Sequence, residues 1–263
     1  MDAREIYLRE VYPRLMPPVS ERYPLISLRQ QPGTKPLGYQ ALLMLVALTG
    51  TGKSTALDIV NRRIGGRGIG LIPTRREVAD WIAIPLAQHW SGDNLVPEPD
   101  RVRRFAYTRL FAERVEGGMA AAFSWLNLVD GYEGAILSEG IRGEDELRYA
   151  LSRFPRWQII ELALHPLTRL RRLSGRRGAF DRAAGEADLT FLPLKLRAEA
   201  AALFRAGEIS EKALAITRAE AANYGLHPFA GGDAYANYHR LDADGCAPEE
   251  VADGLIEILQ RRG

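Results

Sequence analysis

The stretch Gln40-Ala-Leu-Leu-Met-Leu-Val-Ala-Leu-Thr-Gly-Thr-Gly-Lys-Ser-Thr55 decides how the rest of this 263-residue chain is read. Residues 40–48 form a largely apolar run, too short for a buried helix and bounded by Gly38 and Gly50. Such a run suits a strand buried on both faces of a parallel sheet, where no polar face alternates with an apolar one. The chain then turns on Gly50 and Gly52, which reach backbone angles closed to other residues, and continues as helix-like sequence over residues 54–63. Successive N–H groups in a turn of this kind curl around an anion, and the helix behind it presents its positive dipole end.

Strand, glycine-rich turn and helix in that order, with Gly52-Lys-Ser-Thr55 intact, predict a phosphate-binding loop for a nucleoside triphosphate. Thr49, Gly50, Thr51, Gly52 and Thr55 are expected to surround the phosphates. Lys53 would reach the β- and γ-phosphates, and the Ser54 hydroxyl would ligate Mg²⁺. The stricter pattern begins with Gly where Ala47 stands, but that position ends the strand and a small residue suffices there.

Outward from the loop, residues 69–72 read as a second strand. Thr74 and Glu77 form a capping box for a helix over residues 75–88. Residues 100–128 read as one or two helices around Gly117-Gly118. Residues 134–138, 157–164 and 236–241 are strand-like, and residues 248–261 form an amphipathic helix with Val251, Leu255, Ile256, Ile258 and Leu259 toward the core. Strands alternating with helices predict an α/β fold with a mainly parallel sheet. Residues 1–38, interrupted by Pro13, Pro17, Pro18, Pro24, Pro32 and Pro36, read as an extension packed on a main domain over residues 39–263.

Composition narrows the function classes. Hydrophobic residues make up 46% and charged residues 26%, as in a globular protein. The longest apolar run is far short of the ~20 residues that cross a bilayer, so no membrane is expected. One cysteine, Cys246, excludes an intrachain disulfide and points to a reducing, cytoplasmic setting. A net charge of +2 argues against a broad nucleic-acid footprint. Lysine stands only at Lys35, Lys53, Lys195 and Lys212; the positive charge is otherwise arginine, through phosphate recognition or a GC-rich genome. His89, His165, His227 and His239 show no metal-ligand spacing.

Further candidates stand at strand ends. Glu139 follows the strand ending at Ser138, at the edge where open α/β sheets bind ligands, so it would hold the magnesium shell or orient an attacking hydroxyl. Arg142 would meet a substrate anion. The alternative is a solvated turn. After the strand over residues 157–164, Arg169, Arg172 and Arg176 recur at helical spacing with Gly175 and Gly178 among them. This is either a mobile set of guanidiniums closing over a triphosphate or an exposed basic helix. Trp81, Trp90, Trp125 and Tyr224 would stack on a base or fill the core, and core is the better reading.

The loop, Glu139-Gly-Ile-Arg142, Arg169-Leu-Arg-Arg-Leu-Ser-Gly-Arg-Arg-Gly-Ala-Phe-Asp181 and Leu241-Asp-Ala-Asp-Gly-Cys-Ala-Pro-Glu-Glu-Val251 occur in an order that resembles nucleoside monophosphate kinase-like P-loop kinases, from about residue 40 to 260. The resemblance implies a three-layer P-loop NTPase fold with a five-stranded, mainly parallel sheet and an Arg-rich lid over residues 166–182 containing Arg172, Arg176 and Arg177. It implies ATP and Mg²⁺, places Asp242 and the loop behind it near the adenine, and makes Arg75 or Arg76 a ligand of an acceptor phosphate. The same two arginines read without it as an exposed helix N-terminus. Glu139 replaces the more usual Asp, and residues 90–135 and 183–232 match no motif.

The expected function is therefore an ATP-dependent kinase that transfers the γ-phosphoryl group to a small acceptor, a nucleotide or nucleoside. Two alternatives stay open at this point: a P-loop ATPase or nucleotide switch acting on a protein partner, and a kinase of polynucleotide ends or RNA using the arginine stripe.

Overall fold

The computed structural model describes residues 2–15, 22–64, 72–130, 132, 136–175 and 188–260. Seven strands are present among them: Ile26–Ser27 (β1), Thr34–Pro36 (β2), Leu42–Val46 (β3), Asn127–Val129 (β4), Leu137–Ser138 (β5), Trp157–Ala163 (β6) and Tyr238–Asp242 (β7). Every residue of β3 is buried. Because strand side chains alternate, Leu42, Met44 and Val46 enter one core while Leu43, Leu45 and Ala47 enter another on the opposite face. This is why the sequence shows a continuous apolar run there.

The main sheet is parallel in the order β5-β3-β6-β7. Met44 pairs with Ser138 and Val46 with Glu161, and Ala163 pairs with Asp242, so the C-terminal ends of the strands share one edge. Helices Lys53–Arg63 and Pro248–Gln260 cover one face through Ile59, Val60, Val251 and Leu255. The other face is covered by Gly118–Trp125, Glu144–Arg153 and the run beginning at Arg75, with Phe123, Leu147 and Ile82 in its core. Four parallel strands are formed among the described residues, where five were expected. Of the expected second strand, residues 69–71 lie outside the described residues, and Ile72 sits in a bend before Pro73, which has no N–H to pair.

The expected capping box is present: Thr74 accepts from the Glu77 N–H and the Glu77 carboxylate accepts from the Thr74 N–H at 2.9 Å. The helix it starts is not uniform. Arg75–Val78 passes through a π turn, Ala79–Ala83, into Ile84–Ser91. Pro85 supplies the reason, since it cannot donate to the carbonyl of Trp81 four residues back. That carbonyl instead accepts the Tyr7 hydroxyl at 2.8 Å. Trp81 is buried, as the core reading of the tryptophans requires, and Trp90 and Trp125 pack partly buried against the same core.

Two features lie outside the sequence reading. A second, antiparallel sheet joins β1, β4 and β2 in that order, with Ile26 opposite Leu128 and Lys35 opposite Leu128 on its other side. It carries Ile26, Leu28 and Leu128 into the core that holds Met44. Helices Leu194–Arg205 and Glu211–Tyr224 pack with Pro166–Ser174 around a core of their own, built on Leu167, Leu170, Leu196 and Leu214. Among the described residues no helix is long and apolar enough to cross a membrane.

Candidate active site

The loop from Leu48 to Gly52 leaves the buried end of β3 and turns at Gly50 (φ 93°) and Gly52 (φ 91°), both in the left-handed region. Helix Lys53–Arg63 begins at once, with Gly52 as its N-cap residue. No side chain fits at Gly50: a Cβ there would stand 2.8 Å from Leu173 Cγ. Ser54 and Thr55, in the first helical turn, are exposed.

Lys53 forms an ion pair with Glu139, which follows β5 on the strand next to β3. The lysine side chain is 13% exposed. Burial pulls its pKa below the ordinary value, an effect opposed by Glu139 and Glu220 and reinforced by the charge of Arg142. The ammonium is thus a poorly solvated charge held by one carboxylate, in the edge of a parallel sheet where ligands bind.

Behind this pair the loop is clamped by two buried groups. Glu220, on helix Glu211–Tyr224, accepts the Thr49 N–H at 3.1 Å and the Thr49 hydroxyl at 2.6 Å. Arg169, 2% exposed, donates from Nε to the Thr49 carbonyl at 2.8 Å and pairs with Glu220 through Nη2. Arg172 donates to the carbonyls of Thr51 at 3.3 Å and Ala243 at 3.4 Å, tying the loop to the segment after β7. Asp242, at the end of β7, is exposed and accepts the Asp244 N–H at 2.9 Å. The structure therefore brings Arg172 and the Asp242 segment together beside the loop. Arg176 and Arg177 lie outside the described residues.

Arg75 is differently employed from the sequence expectation. Its two Nη atoms bind both oxygens of Glu146, at 2.6 and 2.9 Å, and the carbonyl of Gly140 accepts from Nη1 at 2.7 Å. Glu146 also accepts the backbone N–H of Arg142 at 2.8 Å and of Met119 at 3.2 Å. Arg75 braces the turn that carries Glu139 and Arg142 and has its fork already filled, which argues against it as a phosphate ligand. Arg76, next in the chain, is exposed. Among the described residues the Arg142 guanidinium has a long contact to Glu220, 3.9 Å, and lies 6.0 Å from the centre of the Tyr224 ring.

A cleft of about 270 Å³ opens beside the loop, between the ends of β3 and β6 and the segment following Tyr224. Thr51, Arg142, Leu164, Tyr224, Leu226 and Phe229 are among its walls. Sequence reasoning missed Glu146 and Glu220, which look like ordinary helix carboxylates until their partners 71 and 171 residues away are known. The alanines around Glu220, at 213, 215, 219, 221 and 222, hinted only that this helix packs closely.

No protein-family model matches the chain. No curated protein matches it. Solved structures do resemble it at low similarity. A gluconokinase from Sinorhizobium meliloti 1021 is 11% identical over 85% of this chain and 93% of its own, with a TM-score of 0.41. A sugar kinase from Janibacter sp. HTCC2649 is 13% identical over 84% and 95%, with a TM-score of 0.38. Shikimate kinase from Aquifex aeolicus is 13% identical over 83% and 95%, with a TM-score of 0.33.

Proposed function

We propose that this chain is an ATP-dependent small-molecule kinase that moves the γ-phosphoryl group of ATP to a nucleotide or nucleoside. The observation that carries the reading is the ion pair between Lys53, the first residue of the helix after a loop with two left-handed glycines, and Glu139, which follows the adjacent parallel strand β5. Phosphate fits this loop on two counts. Gly50 and Gly52 hold left-handed angles that let successive N–H groups face one anion, and the first helical turn leaves Ser54 and Thr55 open to solvent.

In this reading, backbone N–H groups from Gly50 to Thr55 hold the phosphates, and Lys53 leaves Glu139 for a β- or γ-phosphate oxygen. Ser54 and Glu139 would hold Mg²⁺, which when bound neutralises charge on the phosphate oxygens. An acceptor oxygen forms a bond to the γ-phosphorus as the bond to the β–γ bridging oxygen breaks, and ADP leaves. Glu139 receives the proton when the acceptor is a hydroxyl; a phosphate acceptor is already ionised. Arg142 faces the acceptor, with Arg76 as a second cation, and Arg172 adds charge to stabilise the transferring group. Asp242 would lie near the base.

The test is purified protein with Mg²⁺ and ATP against nucleoside monophosphates, nucleosides and sugars, reading ADP and phosphorylated product together. A product carrying the γ-phosphate supports the kinase. ADP with only free phosphate, unchanged by any acceptor, would overturn it.

A further inference from the structure

The resemblance to nucleotide kinases pointed to Arg75 and Arg76 for the acceptor, yet Arg75 is bound on both sides by Glu146 and Gly140. The cleft beside the loop offers a different receptor. Its charged lining groups are nearly all satisfied within the protein. Glu161 accepts the Phe229 N–H at 2.9 Å and the Tyr238 hydroxyl. Glu144 is paired with Arg148, and Arg169 with Glu220. Arg142 is the exception: its backbone N–H is fixed by Glu146, while among the described residues its guanidinium has a 3.9 Å contact to Glu220 and the Tyr224 ring 6.0 Å away. The walls beyond it are apolar or aromatic, with Leu147, Leu164, Leu226 and Phe229 on one side and Tyr224 under the guanidinium. Thr51 of the phosphate loop is also a wall of this cleft, so an anion bound on Arg142 lies beside that loop.

We propose that this cleft is the phosphoryl-acceptor site and that it takes a small anion carrying a planar or apolar ring, the anion on Arg142 and the ring against Tyr224 and Phe229. This rests on the kinase reading. The chemistry of recognition is shared by phosphate and carboxylate heads, since an arginine fork accepts either. A volume of about 270 Å³ suits a metabolite-sized ligand.

The experiment uses the full chain with Mg²⁺ and ADP. Phenyl phosphate, benzoate and the uncharged benzyl alcohol are titrated by calorimetry into the wild type, Ala230→Trp, which fills the exposed rim of the cleft, and Arg142→Met. A fluorescent ATP analogue is titrated separately. At least one ring-bearing anion should bind and lose affinity about tenfold or more in both variants, the worth of one charge-assisted contact. Benzyl alcohol should bind at least that much more weakly. A preference for phenyl phosphate assigns a phosphoester acceptor, and one for benzoate a carboxylate acceptor. If neither anion binds a wild type that binds the ATP analogue, or if either variant leaves the anion's affinity unchanged, the proposal is overturned. If the analogue does not bind the wild type, the kinase reading fails, and the acceptor role fails with it whatever the fragments do.

Discussion

Glu220 and Thr49 stand 171 residues apart in the chain, yet one carboxylate oxygen takes both the backbone N–H and the hydroxyl of the threonine. The same residue is held at its carbonyl by Arg169. The loop's entry is therefore fixed before any phosphate arrives, and the backbone donors farther along it need little rearrangement to bind one.

Removing one partner of this buried pair should be expensive. Glu220 is 7% exposed and Arg169 2%. Glu220→Ala should lower unfolding free energy by about 3 kcal/mol, because it strands a buried guanidinium. The double variant Glu220→Met/Arg169→Met should recover much of that stability while ATP affinity stays reduced, since nothing then orients Thr49. Urea denaturation and nucleotide titration on the three proteins check both halves.

Lys53→Met should lower phosphotransfer by about 10²- to 10³-fold, the usual effect of deleting one donor to developing charge. It should also change the pH dependence of stability. Burial holds the Lys53 pKa below its ordinary value of 10.5, so in the interval below 10.5 the unfolded chain binds the proton more strongly than the folded one. Stability from this group therefore rises with pH through the folded pKa and levels off above 10.5. Chemical denaturation of wild type and Lys53→Met at a series of alkaline pH values should show this rise only in the wild type.

Two left-handed glycines make a controlled comparison. Gly50 has φ 93° and a Leu173 atom where its Cβ would go, whereas Gly207 has φ 75° and open space. Gly207→Ala should cost about 1 kcal/mol from backbone strain alone. Gly50→Ala adds overpacking and should cost about 2–4 kcal/mol. Only the Gly50 variant should weaken ATP binding.

The Tyr7–Trp81 bond predicts a non-additive pair. Tyr7→Phe leaves a buried carbonyl unpaired and should destabilise by about 1–3 kcal/mol. In a Pro85→Ala background the restored N–H can reach that carbonyl, so the same substitution should cost less. A double-mutant cycle by urea melts measures the difference.

Legibility followed interaction range. The strand, turn and helix around Lys53 were readable because their determinants are consecutive: an apolar run, two glycines, a cap. The Thr74–Glu77 cap was readable for the same reason. The β1-β4-β2 sheet was not, since its strands are two or three residues long and pair Ile26 with Leu128, far along the chain. The roles of Arg75 and Arg142 look alike in sequence; only the position of Glu146 shows that the Arg75 fork is filled, while Arg142 reaches Glu220 at 3.9 Å.

Glu220 and Tyr224 are one helical turn apart on helix Glu211–Tyr224, so the residue that anchors the loop and the residue that walls the cleft share a face. One residue inserted between Ser210 and Glu220 would turn that face by about 100° and carry both away together. The residues just before the helix give no slack, since Ile209 is buried and the Ser210 N–H is held by the Ser174 hydroxyl, so the count of residues within this helix has to be kept.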